Sequence, residues 1–173
     1  MFVYGSLLNP EELKRYNITP SRCRPAIIHG YRIVFDKRSR RRCAAANLKE
    51  CINDKCEAVG IVCDTDDETI KYLDAREKGY YKASITCSIL ERERDSSIEV
   101  DAYIYISYER LSNSEVKKCI SDPRFAKYLE IIAEGVIYWN KILPSFRERY
   151  LRGISKDPTH LIIADKLEEL TSR

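Results

Sequence analysis

The period of the apolar residues changes near Ser112, and that change limits the fold more than any other feature of the chain. Before it, short runs rich in Val, Ile, Tyr and Phe are closed by Gly, Asn, Asp or Ser, as strands are. Phe2–Tyr4, a long stretch Ala26–Asp36, Ala44–Leu48 and Ala58–Cys63 read this way, and Tyr80–Glu93 and Ile98–Tyr108 read as an antiparallel pair around a turn at Arg94–Ser97. After it, Glu115–Ile120, Phe125–Asn140, Ser145–Gly153 and Ala164–Leu170 have helical patterning. Successive strands without regular helical crossovers predict an α+β fold, a small, mostly antiparallel β-barrel or curled sheet with peripheral helices. No repeat or low-complexity linker divides residues 1–173, which are expected to form a single domain with a helical part from about residue 112.

Two helices interrupt the strands. Asn9-Pro10-Glu11-Glu12-Leu13 carries a cap, an early proline and first-turn acids, so Gly5-Ser6 lies between a strand and a helix. Asp64–Glu68 starts a second helix with Ile70 and Leu73 on one face, which should stop near Lys78-Gly79 because glycine accepts the left-handed conformation at a helix end. Glu77 therefore falls at an exit corner.

Charge excludes little: 30 basic and 27 acidic side chains leave a net charge of +3 from two well-mixed populations. The sharpest cluster, Lys37-Arg38-Ser39-Arg40-Arg41-Arg42, reads as a solvated loop between strands. It is the only feature that hints at nucleic acid or another polyanion, and nucleic acid is not expected as a partner. No window approaches the roughly 20 apolar residues that span a bilayer, and no basic segment precedes an apolar one at the N-terminus, so a cytoplasmic protein without a membrane partner is expected.

Seven cysteines (Cys23, Cys43, Cys51, Cys56, Cys63, Cys87 and Cys119) form no Cys-x-x-Cys pair and stand in no ligand spacing with His29 and His160. No metal is expected, and both histidines read as structural, His29 after an apolar pair in a strand and His160 in a Pro-Thr-His-Leu connection. Cys51 and Cys56 flank a turn that admits a local bridge, but buried reduced thiols are the plainer reading. The chain has no Gln and a single Met, and a third of it is charged, a bias in the direction of heat adaptation that the cysteine count opposes.

Two short motifs carry chemistry. In Tyr4-Gly5-Ser6-Leu7-Leu8 a glycine lets backbone N–H groups converge, an arrangement that holds a carboxylate or a developing oxyanion and that is also found in ordinary tight turns. Leu73-Asp74-Ala75-Arg76-Glu77-Lys78-Gly79-Tyr80-Tyr81 places a carboxylate beside aromatics that can shape its proton affinity; without a pocket it would be a solvated acid between two bases.

In order and spacing these two motifs, with the strand Gly60-Ile61-Val62 between them, resemble the γ-glutamylcyclotransferase family, which uses Tyr-Gly-Ser-Asn and Leu-Asp-x-x-Glu-Gly. Tyr128–Gly135, Leu143-Pro144 and Leu151 are similar to the family's helical segment ending in Leu-Pro-x-x-Tyr, which carries the resemblance to about Gly153. Three positions depart from the pattern: Leu7 stands for Asn, Lys78 is inserted before the glycine, and Arg147 takes the place of the tyrosine, with Phe146 or Tyr150 available to supply the aromatic.

The resemblance implies that Tyr4, Gly5, Ser6 and Leu7 receive a γ-glutamyl moiety and that Glu77 is the catalytic acid; Tyr81 and Arg147 are taken as further substrate-binding residues. The implied reaction needs no metal or cofactor. Glu77 takes a proton from the α-amino group of a small γ-glutamyl amine, the amine attacks the γ-carbonyl, loop N–H groups hold the oxyanion, and Glu77 returns the proton as 5-oxoproline and an amine form. The alternative is a non-catalytic small-molecule or polyanion binding module on the same fold, and the oligomeric state stays open.

Overall fold

A computed structural model describes residues 1–51, 56–77, 79–91 and 95–172. A five-stranded antiparallel sheet is built from β1 (Phe2–Val3), β5 (Glu57–Cys63), β2 (Cys23–His29), β6 (Tyr81–Leu90) and β7 (Asp95–Ile106), in that order. It curls into a nearly closed barrel with the hairpin of β3 (Tyr31–Ser39) and β4 (Cys43–Glu50). The fold class is α+β, as the periodicity predicts.

A buried polar knot ties the two sheets together. The register of β3 against β4 slips between Val34 and Lys37, so Asp36 sits in a bulge. The side chain of the fully buried Asn47 donates to Asp36 (2.8 Å) and to the Ser107 carbonyl (3.0 Å), and accepts from the Ser107 N–H (2.9 Å). Arg110 neutralises Asp36 at 2.7 Å and donates to the Leu48 carbonyl. Each polar group of this knot thus has a partner, the condition under which such a network is tolerated in a core.

Short helices α1 (Pro10–Lys14) and α2 (Asp67–Arg76) interrupt the strands, the first capped by Asn9 and the second by Asp66. After β7 come α3 (Asn113–Ile120), α4 (Pro123–Ile142), α5 (Phe146–Arg152) and α6 (Pro158–Thr171). Asp122 caps α4 and Pro123 opens it; Phe125, Tyr128, Leu129, Ile132, Ala133, Val136 and Trp139 form a buried stripe at the 3.6-residue period. That stripe, with Phe2, Leu8, Ile28, Phe35, Ile61 and Tyr150, fills one core between barrel and helices.

Several local expectations are corrected. The long strand Ala26–Asp36 is two strands, because Gly30 at φ +78° turns the chain from one sheet into the other. The basic run is not a free loop: its first residues continue β3, and Lys37 is buried. His160 belongs to the first turn of α6 rather than to a connection. The turn expected at Arg94–Ser97 falls partly outside the described residues, with Asp95–Ser97 inside β7; the turn residues between Cys51 and Cys56 and the inserted Lys78 lie outside them too.

The cysteines are the largest correction. Cys23–Cys63, Cys43–Cys119 and Cys51–Cys56 are bonded, and only Cys87 is a free, buried thiol. Cys23 and Cys63 sit opposite each other on β2 and β5, and Cys119 of α3 reaches Cys43 at the start of β4. Both pairings are made by tertiary packing and leave no trace in sequence spacing.

Candidate active site

The loop after β1 and the corner after α2 meet at a narrow cleft of about 50 Å³, lined by Tyr4, Gly5, Ser6, Leu7, Arg42, Ala46, Arg76, Glu77, Tyr80, Tyr105 and Tyr128 among others. Such a space takes one small polar group rather than a polymer. A wider, shallower groove of about 400 Å³ near Arg24, Asp64 and Asp101 lacks this convergence of loop amides, acid and guanidinium groups.

β1 delivers the loop, which closes as a single 3₁₀ turn, Ser6–Leu8. Its internal bonds run from the Leu8 N–H to Gly5 and from the Asn9 N–H to Ser6, so the N–H groups of Ser6 and Leu7 are not used by the turn. Three large side chains fasten it. The Tyr150 hydroxyl donates to the Tyr4 carbonyl (2.8 Å), the Trp139 indole N–H to the Leu8 carbonyl (2.8 Å), and the Tyr4 hydroxyl to the Tyr105 carbonyl (2.5 Å). A Cβ at Gly5 would come 3.1 Å from the Tyr128 hydroxyl and 3.3 Å from the Ala46 Cβ, tighter than ordinary contact, so the glycine lets the loop lie close against this wall.

Glu77 ends α2: its N–H closes the last turn on Leu73, and its carbonyl accepts from the Tyr80 N–H. The carboxylate pairs with Arg76, whose guanidinium also donates to the Ser6 hydroxyl at 3.1 Å and lies 5.0 Å from the Tyr16 ring centroid. Acid and loop are thus joined through one arginine. Burial opposes the charge on Arg76, but Glu77, with Tyr16 and Tyr128, outweighs it and raises its proton affinity.

Tyrosines form the remaining wall. The Ala46 peptide is held on both sides, its carbonyl accepting from the Tyr80 hydroxyl (2.9 Å) and its N–H donating to the Tyr128 hydroxyl oxygen (3.0 Å). That second bond leaves the proton of Tyr128 for another acceptor. Burial raises the proton affinity of Tyr4, Tyr80, Tyr105 and Tyr128, against the pull of Arg42 and Arg76 on Tyr80 and Tyr128, so the wall stays neutral and able to donate.

Among the residues expected from the sequence, Tyr4, Gly5, Ser6, Leu7 and Glu77 line this cleft, and Tyr81 and Arg147 do not. Tyr81 points to the opposite face of β6 and stacks on Tyr108, centroids 4.2 Å apart, while its neighbour Tyr80 enters the cleft. Arg147 binds Thr171 (2.9 Å) and Ser172 (2.6 Å) at the end of α6, so it fastens helices together. Tyr150, nearly a turn further along α5, is the aromatic that reaches the loop.

Sequence reasoning also passed over Arg42, Ala46, Tyr105 and Tyr128 as lining residues. Tyr128 could be noted only as part of a helical motif, and Arg42 was hidden in a run that looks solvated. In the structure that run is mostly engaged: Lys37 pairs with Glu109 and lies 5.6 Å from the Tyr80 ring, Arg38 pairs with Glu115, and Arg42 turns into the cleft. Among the described residues no group of His, Cys, Asp and Glu could hold a metal ion, and no helix is long and apolar enough to cross a membrane.

Loop, acid and barrel together define a cyclotransferase-like fold, and the comparisons agree. The family model for gamma-glutamyl cyclotransferase, AIG2-like, matches residues 1–124, and the chain belongs to that family. Solved structures of similar fold include a gamma-glutamyl cyclotransferase (TM-score 0.62, 16% identity, covering 97% of this chain and 96% of that one). A yeast gamma-glutamyl cyclotransferase specific to glutathione gives 0.63 at 18% identity over 99% and 94% of the two chains. An uncharacterized human protein gives 0.61 at 17% identity over 99% and 96%. No curated protein matches in sequence.

Proposed function

We propose that this protein is a γ-glutamyl cyclotransferase that releases 5-oxoproline from a small γ-glutamyl amine, with Glu77 as its general acid and base. The observation that carries the reading is the presence of the Glu77 carboxylate in one cleft with the unspent N–H groups of the Ser6–Leu7 turn.

The substrate's α-ammonium gives one proton to Glu77. The freed nitrogen attacks the γ-carbonyl carbon, forming the lactam C–N bond, and the Ser6 and Leu7 N–H groups hold the oxyanion. As the oxyanion collapses, the bond to the leaving nitrogen breaks. Glu77 passes on the proton it holds and a second one from the new ring nitrogen, so the leaving group departs as an ammonium ion. Attack within the substrate removes the need for a protein nucleophile.

Incubation of the protein and its Glu77→Gln variant with γ-glutamyl amino acids, γ-glutamyl-lysine and glutathione, following 5-oxoproline by mass spectrometry, tests this. The parent should turn over at least one substrate, and the variant should lose roughly a hundredfold or more in rate. A variant as fast as the parent would sink the role given to Glu77. A parent that turns over none of the panel would sink the activity.

A further inference from the structure

Arg42 is a cleft cation with no counter-ion among the described residues. Its Nη1 lies 3.2 Å from the Ser6 hydroxyl, its guanidinium carbon 4.6 Å from the Tyr128 ring centroid, and no carboxylate of the described residues pairs with it. Its basic neighbours differ: Arg76 pairs with Glu77, Arg38 with Glu115, Lys37 with Glu109 and Arg110 with Asp36. Two guanidinium groups therefore meet one hydroxyl, and the cleft holds two cations against one carboxylate. A cation set against an aromatic face with its hydrogen bonds only partly used is a ready receiver for an anion.

We propose that Arg42 is a specificity-determining residue that receives the α-carboxylate of the substrate's γ-glutamyl group. The inference rests on the cyclotransferase reading only for naming the carboxylate's owner. The Ser6 hydroxyl accepts from both Arg42 and Arg76, so its own proton is left to donate to the same carboxylate. The head group is then read as a zwitterion. Its carboxylate lies on Arg42 and Ser6, its ammonium is directed to Glu77, and Arg76 keeps the Glu77 carboxylate beside the loop. A γ-glutamyl compound whose α-carboxylate is blocked as an amide is a poor ligand, whatever its leaving amine.

The position of Arg42 is built rather than accidental. It closes the β3–β4 turn immediately before Cys43, whose φ of +65° is a conformation that non-glycine residues rarely adopt, and Cys43 is bonded to Cys119 on α3. The turn therefore cannot swing away with its arginine, which limits the ordering that binding requires.

The test separates this inference from the activity. Binding of 5-oxoproline and of its primary carboxamide is measured by NMR titration on the parent and on the Arg42→Ala and Arg42→Lys variants, each checked for a parent-like amide spectrum. The parent should prefer the acid by about tenfold or more, Arg42→Ala should lose that preference, and Arg42→Lys should keep part of it. On the substrate that the parent turns over, Arg42→Ala should raise KM by about tenfold with kcat within a few-fold. A parent that binds acid and amide alike, or binds neither, overturns the proposal, as does an Arg42→Ala variant that keeps the preference; if Arg42→Ala does not fold, full preference in Arg42→Gln does the same. Acid preference lost in Arg42→Ala, in a protein without turnover on any γ-glutamyl amine, supports the anion site and overturns the cyclotransferase reading alone.

Discussion

At the scale of single residues, His160 gives the clearest pH prediction. It is buried at the start of α6, neither ring nitrogen has a hydrogen-bond partner among the described residues, and Asp157 is 3.8 Å away, beyond hydrogen-bond reach. Burial lowers its proton affinity, against opposing pulls from Asp157 and Asp36. Below about pH 6.5, the ordinary value for a histidine, the unfolded chain takes up a proton that the folded chain refuses. Stability is therefore full above that pH and falls as pH drops toward the folded-state value, by at most about 1.4 kcal/mol per pH unit. Urea unfolding at a series of pH values should show His160→Leu with a shallower acid limb than the parent, and an unchanged limb would refute the assignment. The imidazole's isolation was not legible beforehand: Pro-Thr-His-Leu reads as a connection, and only the packing of α6 buries it. The meeting of Glu77 with Tyr4–Leu7 in one cleft was legible because residue identity and local spacing mark both motifs. Arg147 was misplaced because nothing local distinguishes a guanidinium facing a cleft from one facing a helix end.

At the scale of elements, α4 is the helix that shapes the site. It carries Tyr128 into the cleft and Trp139 to the Leu8 carbonyl, and between them Gly135 lets the helix touch the 3₁₀ turn. A Cβ at Gly135 would lie 2.5 Å from the Leu8 carbonyl carbon and 2.6 Å from the Asn9 nitrogen. Helix propensity alone favours Gly135→Ala by about 1 kcal/mol. The backbone contact reverses the sign, and a net destabilisation of about 1–3 kcal/mol is expected, with loss of turnover because the loop that presents the Ser6 and Leu7 amides must shift. Urea unfolding together with the 5-oxoproline assay checks both; a stabilised, active variant would show that the close approach is not needed. The periodicity of α4 was readable from its apolar residues, whereas the reason for a glycine in mid-helix was not, since it lies in an element about 130 residues away in sequence.

At the scale of the whole molecule, the bridge between Cys43 and Cys119 spans a sequence separation of 76 and joins the barrel hairpin to the helical layer. Chain-entropy reasoning assigns such a loop about 4 kcal/mol. The Cys43→Ser/Cys119→Ser double variant should lose stability of that order in chemical denaturation, and it should weaken 5-oxoproline binding through Arg42 while Glu77 stays in place. Equal stability of variant and oxidised parent would contradict the bridge. Unpaired, the cysteines oppose the composition's lean toward heat adaptation; paired, they act with it. From the sequence alone came the α+β class, the order of strands and helices, the glycine loop and its acid, because these depend on side-chain period, capping chemistry and neighbours a few residues apart. Only the tertiary structure decided the break at Gly30, the disulfide partners, the choice of Tyr80 over Tyr81 and the entry of Arg42. Each depends on which face of an element meets a distant one, and local periodicity holds no record of that.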